Sequence, residues 1–197
     1  MEKSRWDLKR IIISIIAGGL AFLLAGTAAG IVLLKQEGLV GFPVEGIVGG
    51  LLFGFFMRRH YSIGRIVIAS TLAIVLGLFG GAFIGLLIFD GYGVPSLLSG
   101  FITGAVFSLV MGFGKAFLRF SLICAAMFFL GDMCLDYINM WNGPFYNFIA
   151  GRLGEDNYKV AVVALTAVYH GKAIGLGTGI HLAMDDKNAE AAGGAAQ

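Results

Sequence analysis

Polar residues in this chain fall into a few short clusters, and everything between them is apolar. The clusters are the start MEKSRWDLKR, Lys35-Gln36-Glu37-Gly38, the basic stretch Arg58 to Arg65, the turn Asp90 to Ser96, Lys115 to Arg119, and the tail DDKNAEAAGGAAQ. The apolar runs between them cover 11–34, 39–57, 66–89, 97–113, 116–134 and 160–182. Runs of about 17–25 apolar residues are the length at which a helix crosses a bilayer. The pattern predicts an all-α polytopic membrane protein with six transmembrane helices. The domain plan is a basic N-terminus (1–10), a transmembrane unit (11–184) and a disordered tail (185–197). Within the unit, 135–159 is the longest connection. It is rich in aromatics (Tyr137, Trp141, Phe145, Tyr146, Phe148), as at a membrane–water boundary. Phe145, Phe148, Ile149 and Leu153 share a helical face there, so a short interfacial helix is expected.

The stretch from Glu45 to Gly85 organises the rest. It places Gly46, Gly50 and Gly54 on one apolar segment and Gly77, Gly81 and Gly85 on the next, across a basic turn. Glycine at every fourth position leaves a helix face bare, so a neighbouring backbone can approach closely. Gly100 and Gly104 repeat the device, as do Gly171, Gly175 and Gly179. These eleven glycines are the predicted helix-packing positions, a glycine zipper running through most of the helices. Shifting the chain by 54 residues lays EGIVGGLLFGFFM over SGFITGAVFSLVM and Arg65 over Arg119. Shared glycine spacing alone accounts for much of that match.

Composition narrows the class. The chain is 58% hydrophobic and 13% charged, with 31 glycines, 3 prolines and a mean hydropathy of +0.87. Soluble domains carry about 25% charged residues, so a water-facing surface cannot be built from this alphabet. A net charge of +2 gives no reason to expect nucleic acid. Lys and Arg number ten on one set of alternating connections and three on the other. This positive-inside bias predicts both termini in the cytoplasm, and a bacterial inner membrane is the default location. AGTAAG near the end of the first run offers a signal-cleavage reading. The run is longer than the roughly 7–15-residue core of a signal peptide, which favours a retained helix.

Few residues carry chemistry. Lys172 falls in the middle of the last apolar run, where an unpartnered lysine costs about 2.5–3.5 kcal/mol on insertion scales. Glu45, in the second run, is its candidate partner, and His170 completes a candidate intramembrane polar site. His170 and His181 lie about three helical turns apart; they are a weak candidate for metal or haem ligation, and no cofactor is predicted. Cys124 and Cys134 are too far apart along one helix to form a disulfide. Gly175-Leu176-Gly177-Thr178-Gly179 lacks the strand and the GK[ST] ending of a phosphate loop. No motif supports an enzyme. Two functions follow. The first is a non-enzymatic packing subunit of a larger membrane complex or homo-oligomer, its glycine faces binding other helices within the lipid bilayer. The second is a small transporter or channel for an ion or anionic solute that uses Lys172, Glu45 and His170.

Overall fold

The computed structural model of the chain describes residues 2–35, 40–88, 93–138 and 143–194. Among them every regular element is helical. The helices are α1 (Glu2–Lys35), α2 (Gly41–Met57), α3 (Ile63–Ile88), α4 (Val94–Met111), α5 (Phe117–Ile138), α6 (Pro144–Leu153) and α7 (Glu155–Gly194), with a 3-10 turn at Gly114–Ala116. Stretches within α1, α3, α4 and α7, and one covering Gly114–Asp136, are long and apolar enough to cross a membrane. α2 is equally apolar but has 17 residues, about 26 Å of helix against a hydrocarbon core of about 30 Å. Where six equivalent spans are expected, five helices have full length and α2 is shorter.

Helix ends follow local chemistry. α4 begins at Val94, although Val94-Pro95-Ser96 reads as turn in the sequence. Gly93 supplies the turn with a left-handed φ of 86°, and proline is tolerated in the first helical turn because its missing N–H has no partner to lose there. α4 stops at Met111 because Gly112 adopts φ 74°. The Phe113 N–H then reaches back to the Ser108 carbonyl at 2.9 Å, a Schellman-type ending. Gly112, spaced as if for packing, is thus a helix stop. At the C-terminus α7 continues to Gly194 through a segment expected to be disordered. Asn188-Ala189-Glu190-Ala191-Ala192 contains strong helix formers and no proline, and extending an existing helix avoids the cost of nucleation. Asp90 and Trp141 lie outside the described residues.

The long helices pack in a closed ring in the order α1, α2, α3, α4, α5, α7 and back to α1, with α6 resting on α7. Neighbours run antiparallel. Gly46 and Gly50 of α2 abut Thr71 and Val67 of α3, and Gly54 abuts Ile63. A β-carbon on Gly46 would lie 2.5 Å from the Thr71 Cα, and one on Gly50 2.8 Å from the Val67 Cα. Gly100 and Gly104 of α4 meet Ala125 and Ser121 of α5 in the same way, at 2.8 and 2.7 Å. Ala125 and Ser121 are Thr71 and Val67 moved on by 54 residues. The α2–α3 and α4–α5 hairpins therefore share contacts as well as spacing, and Phe53 and Phe107, 54 apart, are both fully buried.

The same unit occurs a third time, between the ends of the chain. Gly171 of α7 lies on Gly18 of α1, Gly175 on Ser14 and Ile15, and Gly179 on Ile11. The ring is thus three antiparallel pairs, α2–α3, α4–α5 and α7–α1. In each pair the residue just before the first glycine is buried and polar: Glu45, Ser99 and His170.

Gly77, Gly81 and Gly85 serve a different seam from the one their position suggests. They meet Thr103, Ser99 and Pro95 of α4, not α2. Every predicted packing glycine is thereby occupied by a helix of its own chain. The outside of the ring is covered instead by large apolar side chains. Leu24, Leu51, Phe55, Ile68, Leu76, Phe83, Leu109, Leu122 and Leu130 are all exposed. An apolar belt of that extent has no place in water and fits a lipid environment.

Candidate functional site

Call the end of the ring that carries residue 8 and the connections 58–62 and 112–116 the near end, and the other the far end. The core of the near half is built on large apolar side chains, with Ser70, Ser108, Ser121 and Thr178 buried among them. Phe22, Phe53, Phe107, Phe120, Ile66 and Ile174 are fully buried there, with Phe107 and Phe120 stacked at 5.3 Å. Below them Phe113 packs against Tyr61 and against the His181 ring, whose centroid is 4.0 Å away. The Arg65 Nε donates to the Val110 carbonyl at 2.9 Å and fastens α3 to the end of α4.

The far half contains a cavity of about 290 Å3. It reaches the far end at Pro95 and Ser96, in the first turn of α4, and descends to His170 of α7. Phe42, Phe128 and Tyr169 bring aromatic rings to its wall; Ser99, Asp132 and Thr166 bring polar groups. Asp132 Oδ2 accepts a hydrogen bond from the Ser96 hydroxyl at 2.6 Å, which joins α5 to α4 at the mouth. Thr166 satisfies its own hydroxyl on the Val162 carbonyl one turn back.

At the floor, His170 Nδ1 lies 2.6 Å from Glu45 Oε1, and both side chains are at least 95% buried. The pair crosses the interior between α2 and α7, which are not neighbours in the ring. α1 stands between them, and its inward residues there are small: Ala17, Gly18 and Ala21. Phe22 then fills the space beneath, packed against Gly49 of α2 and Gly171 of α7. The other side of the His170 ring stacks on Phe128 at 4.3 Å.

The chemistry of this pair follows from its geometry. A carboxylate accepting from Nδ1–H fixes the imidazole orientation and leaves Nε2 as the proton-accepting atom. The 2.6 Å contact needs a proton between the nitrogen and the oxygen, and the Phe128 ring covers another side of the imidazole. A proton can thus be held at the cavity floor.

Of the sequence candidates, Glu45 and His170 come together and Lys172 does not join them. Two residues along a helix turn the side chain by about 200°, so an inward His170 sends Lys172 to the opposite side. Its stem lies against Gly19 of α1, and its ammonium sits 5.5 Å from the Tyr169 ring centroid. His181 is at the near end beside Phe113, well away from His170. Among the described residues, no group of three or more metal-ligating side chains assembles.

No family model, curated protein or solved structure matches this chain. The site must therefore be read from its own geometry. Sequence reasoning missed Asp132, Phe128 and Tyr169 as parts of it. Only Asp132 carried a signal, as a carboxylate inside an apolar run.

Proposed function

We propose that this chain is a small multi-pass membrane carrier that binds its solute in the far-half cavity and couples it to a proton held by Glu45 and His170. Six helices cross the bilayer, α2 with the shortest span, and the glycine faces form the zipper that closes the ring. Both termini lie on the cytoplasmic side, so the cavity opens outward. The observation that carries this reading is the buried carboxylate–imidazole pair at the floor of a cavity in an otherwise apolar bundle. Ionisable side chains inside a membrane are expensive, and where they persist they mark ion, proton or substrate pathways. The competing reading, a packing subunit, rested on glycine faces left free for other helices, and here those faces meet α1, α3, α4 and α5 of the same chain.

Solid-supported-membrane electrophysiology on proteoliposomes tests the proposal. Concentration jumps across a panel of small cationic, anionic and neutral solutes should give transient charge movement for at least one class. Glu45→Gln should remove that signal while insertion stays normal. Signals equal to those of empty liposomes for the whole panel would overturn the carrier reading, as would full signals in Glu45→Gln.

A further inference from the structure

The cavity wall has a chemical character that its volume alone does not reveal. Its charged lining residue is the Asp132 carboxylate, and His170 at its floor is backed by a second carboxylate, Glu45. Among the described residues neither lysine nor arginine lines it. Lys172, the nearest candidate for an anion contact in the sequence, is held outside against α1. Three aromatic rings, Phe42, Phe128 and Tyr169, share the wall with the carboxylate. One of them already faces a cation of the chain itself, the Lys172 ammonium over Tyr169, and Phe128 stacks on the His170 ring. Phe42 meets Phe79 edge-on at 5.6 Å, which holds its ring in place at the wall.

We infer that the cavity takes a small organic cation, an alkyl- or arylammonium, with its charge toward Asp132 and its carbon surface against Phe42 and Phe128. The inference rests on reading the cavity as the carrier's solute site. A cation entering a low-dielectric pocket needs fixed negative charge and polarisable faces, and this wall supplies both. An anion would meet the Asp132 carboxylate with no lysine or arginine among the described lining residues to offset it. A volume of about 290 Å3 lies at the lower edge of small-molecule pockets, which suits an amine with one ring or a few alkyl groups. Ser96 holds one oxygen of Asp132, so the carboxylate is oriented before the ligand arrives.

Isothermal titration calorimetry on the full chain in neutral detergent tests the inference without requiring flux. The probes are benzyltrimethylammonium, choline, the uncharged carbon isostere of choline, and benzoate. Choline should bind about tenfold or more tightly than its isostere, the scale of one good cation–π or charge contact. Asp132→Asn should lose roughly tenfold in cation affinity and Asp132→Glu should recover part of it. Phe42→Leu keeps apolar bulk and removes the ring, so it should narrow the choline-to-isostere ratio even if the Asp132 variants fold poorly. Equal affinity for choline and its isostere, or tighter binding of benzoate, would overturn the inference, as would an unchanged ratio in both Asp132→Asn and Phe42→Leu. Failure of the two readings is separable. Cation binding without charge movement in proteoliposomes would keep this site and remove the carrier. Movement of benzoate in preference to the cations would keep the carrier and remove this ligand class.

Discussion

Replacing one member of the Glu45–His170 pair leaves the other buried and uncompensated. The two atoms are 2.6 Å apart and both side chains are at least 95% buried, so the partner left behind loses a short hydrogen bond in a largely desolvated place. Breaking a buried pair from one side typically costs about 3–5 kcal/mol, whereas removing both partners together is often near neutral. His170→Leu keeps most of the volume against Phe128, and Glu45→Leu does the same beneath the cavity. Each single variant should therefore lose about 3 kcal/mol or more, and the double variant far less than the sum. The interaction term of the cycle should exceed about 1.5 kcal/mol, the low end for hydrogen bonds to charged groups. Equilibrium unfolding in mixed detergent micelles, read by steric trapping, gives the four free energies. If the single costs add within about 0.5 kcal/mol, the side chains are energetically independent, and the pair as described here is wrong.

Three further outcomes follow from particular contacts. Gly46→Ala and Gly100→Ala would push a methyl into the Thr71 and Ala125 backbones and should each destabilise by about 1–3 kcal/mol. Gly64→Ala, with nothing nearer than the Ser62 hydroxyl at 3.9 Å, should be neutral or stabilising by up to about 1 kcal/mol; equal losses at all three in an unfolding assay would refute the seam assignment. The Thr178 Oγ1 is buried with no hydrogen-bond partner among the described residues, so the isosteric Thr178→Val should raise thermal stability slightly, and a drop beyond about 1 kcal/mol would mean the hydroxyl is satisfied. For orientation, Glu155→Cys at the far end should react with a membrane-impermeant maleimide in intact cells, and Arg59→Cys at the near end only after permeabilisation; the reverse pattern would place the cavity mouth in the cytoplasm.

Much of the fold is legible along the chain, because a bilayer-length apolar run has to satisfy its backbone within itself and becomes a helix. The runs, the short connections and the extra helix near Pro144 all follow from local sequence. Glu45 and His170 stand out as ionisable residues in an apolar alphabet, but the sequence pairs Glu45 with Lys172. What the sequence left open is which faces meet. Helical rotation of about 100° per residue turns Lys172 away from the interior that His170 enters, and only the placement of α1 and α2 reveals which of the two meets Glu45. The row Gly77, Gly81, Gly85 looks across its turn to α2 in the sequence, yet it packs on α4, because α3 has two neighbours and its earlier turns already face α2. The third helix pair joins α7 to α1, the two ends of the chain. No linear shift of the sequence can align that pair with the other two, so the threefold order of the ring, and the level at which it sets Glu45, Ser99 and His170, belongs to the tertiary structure alone.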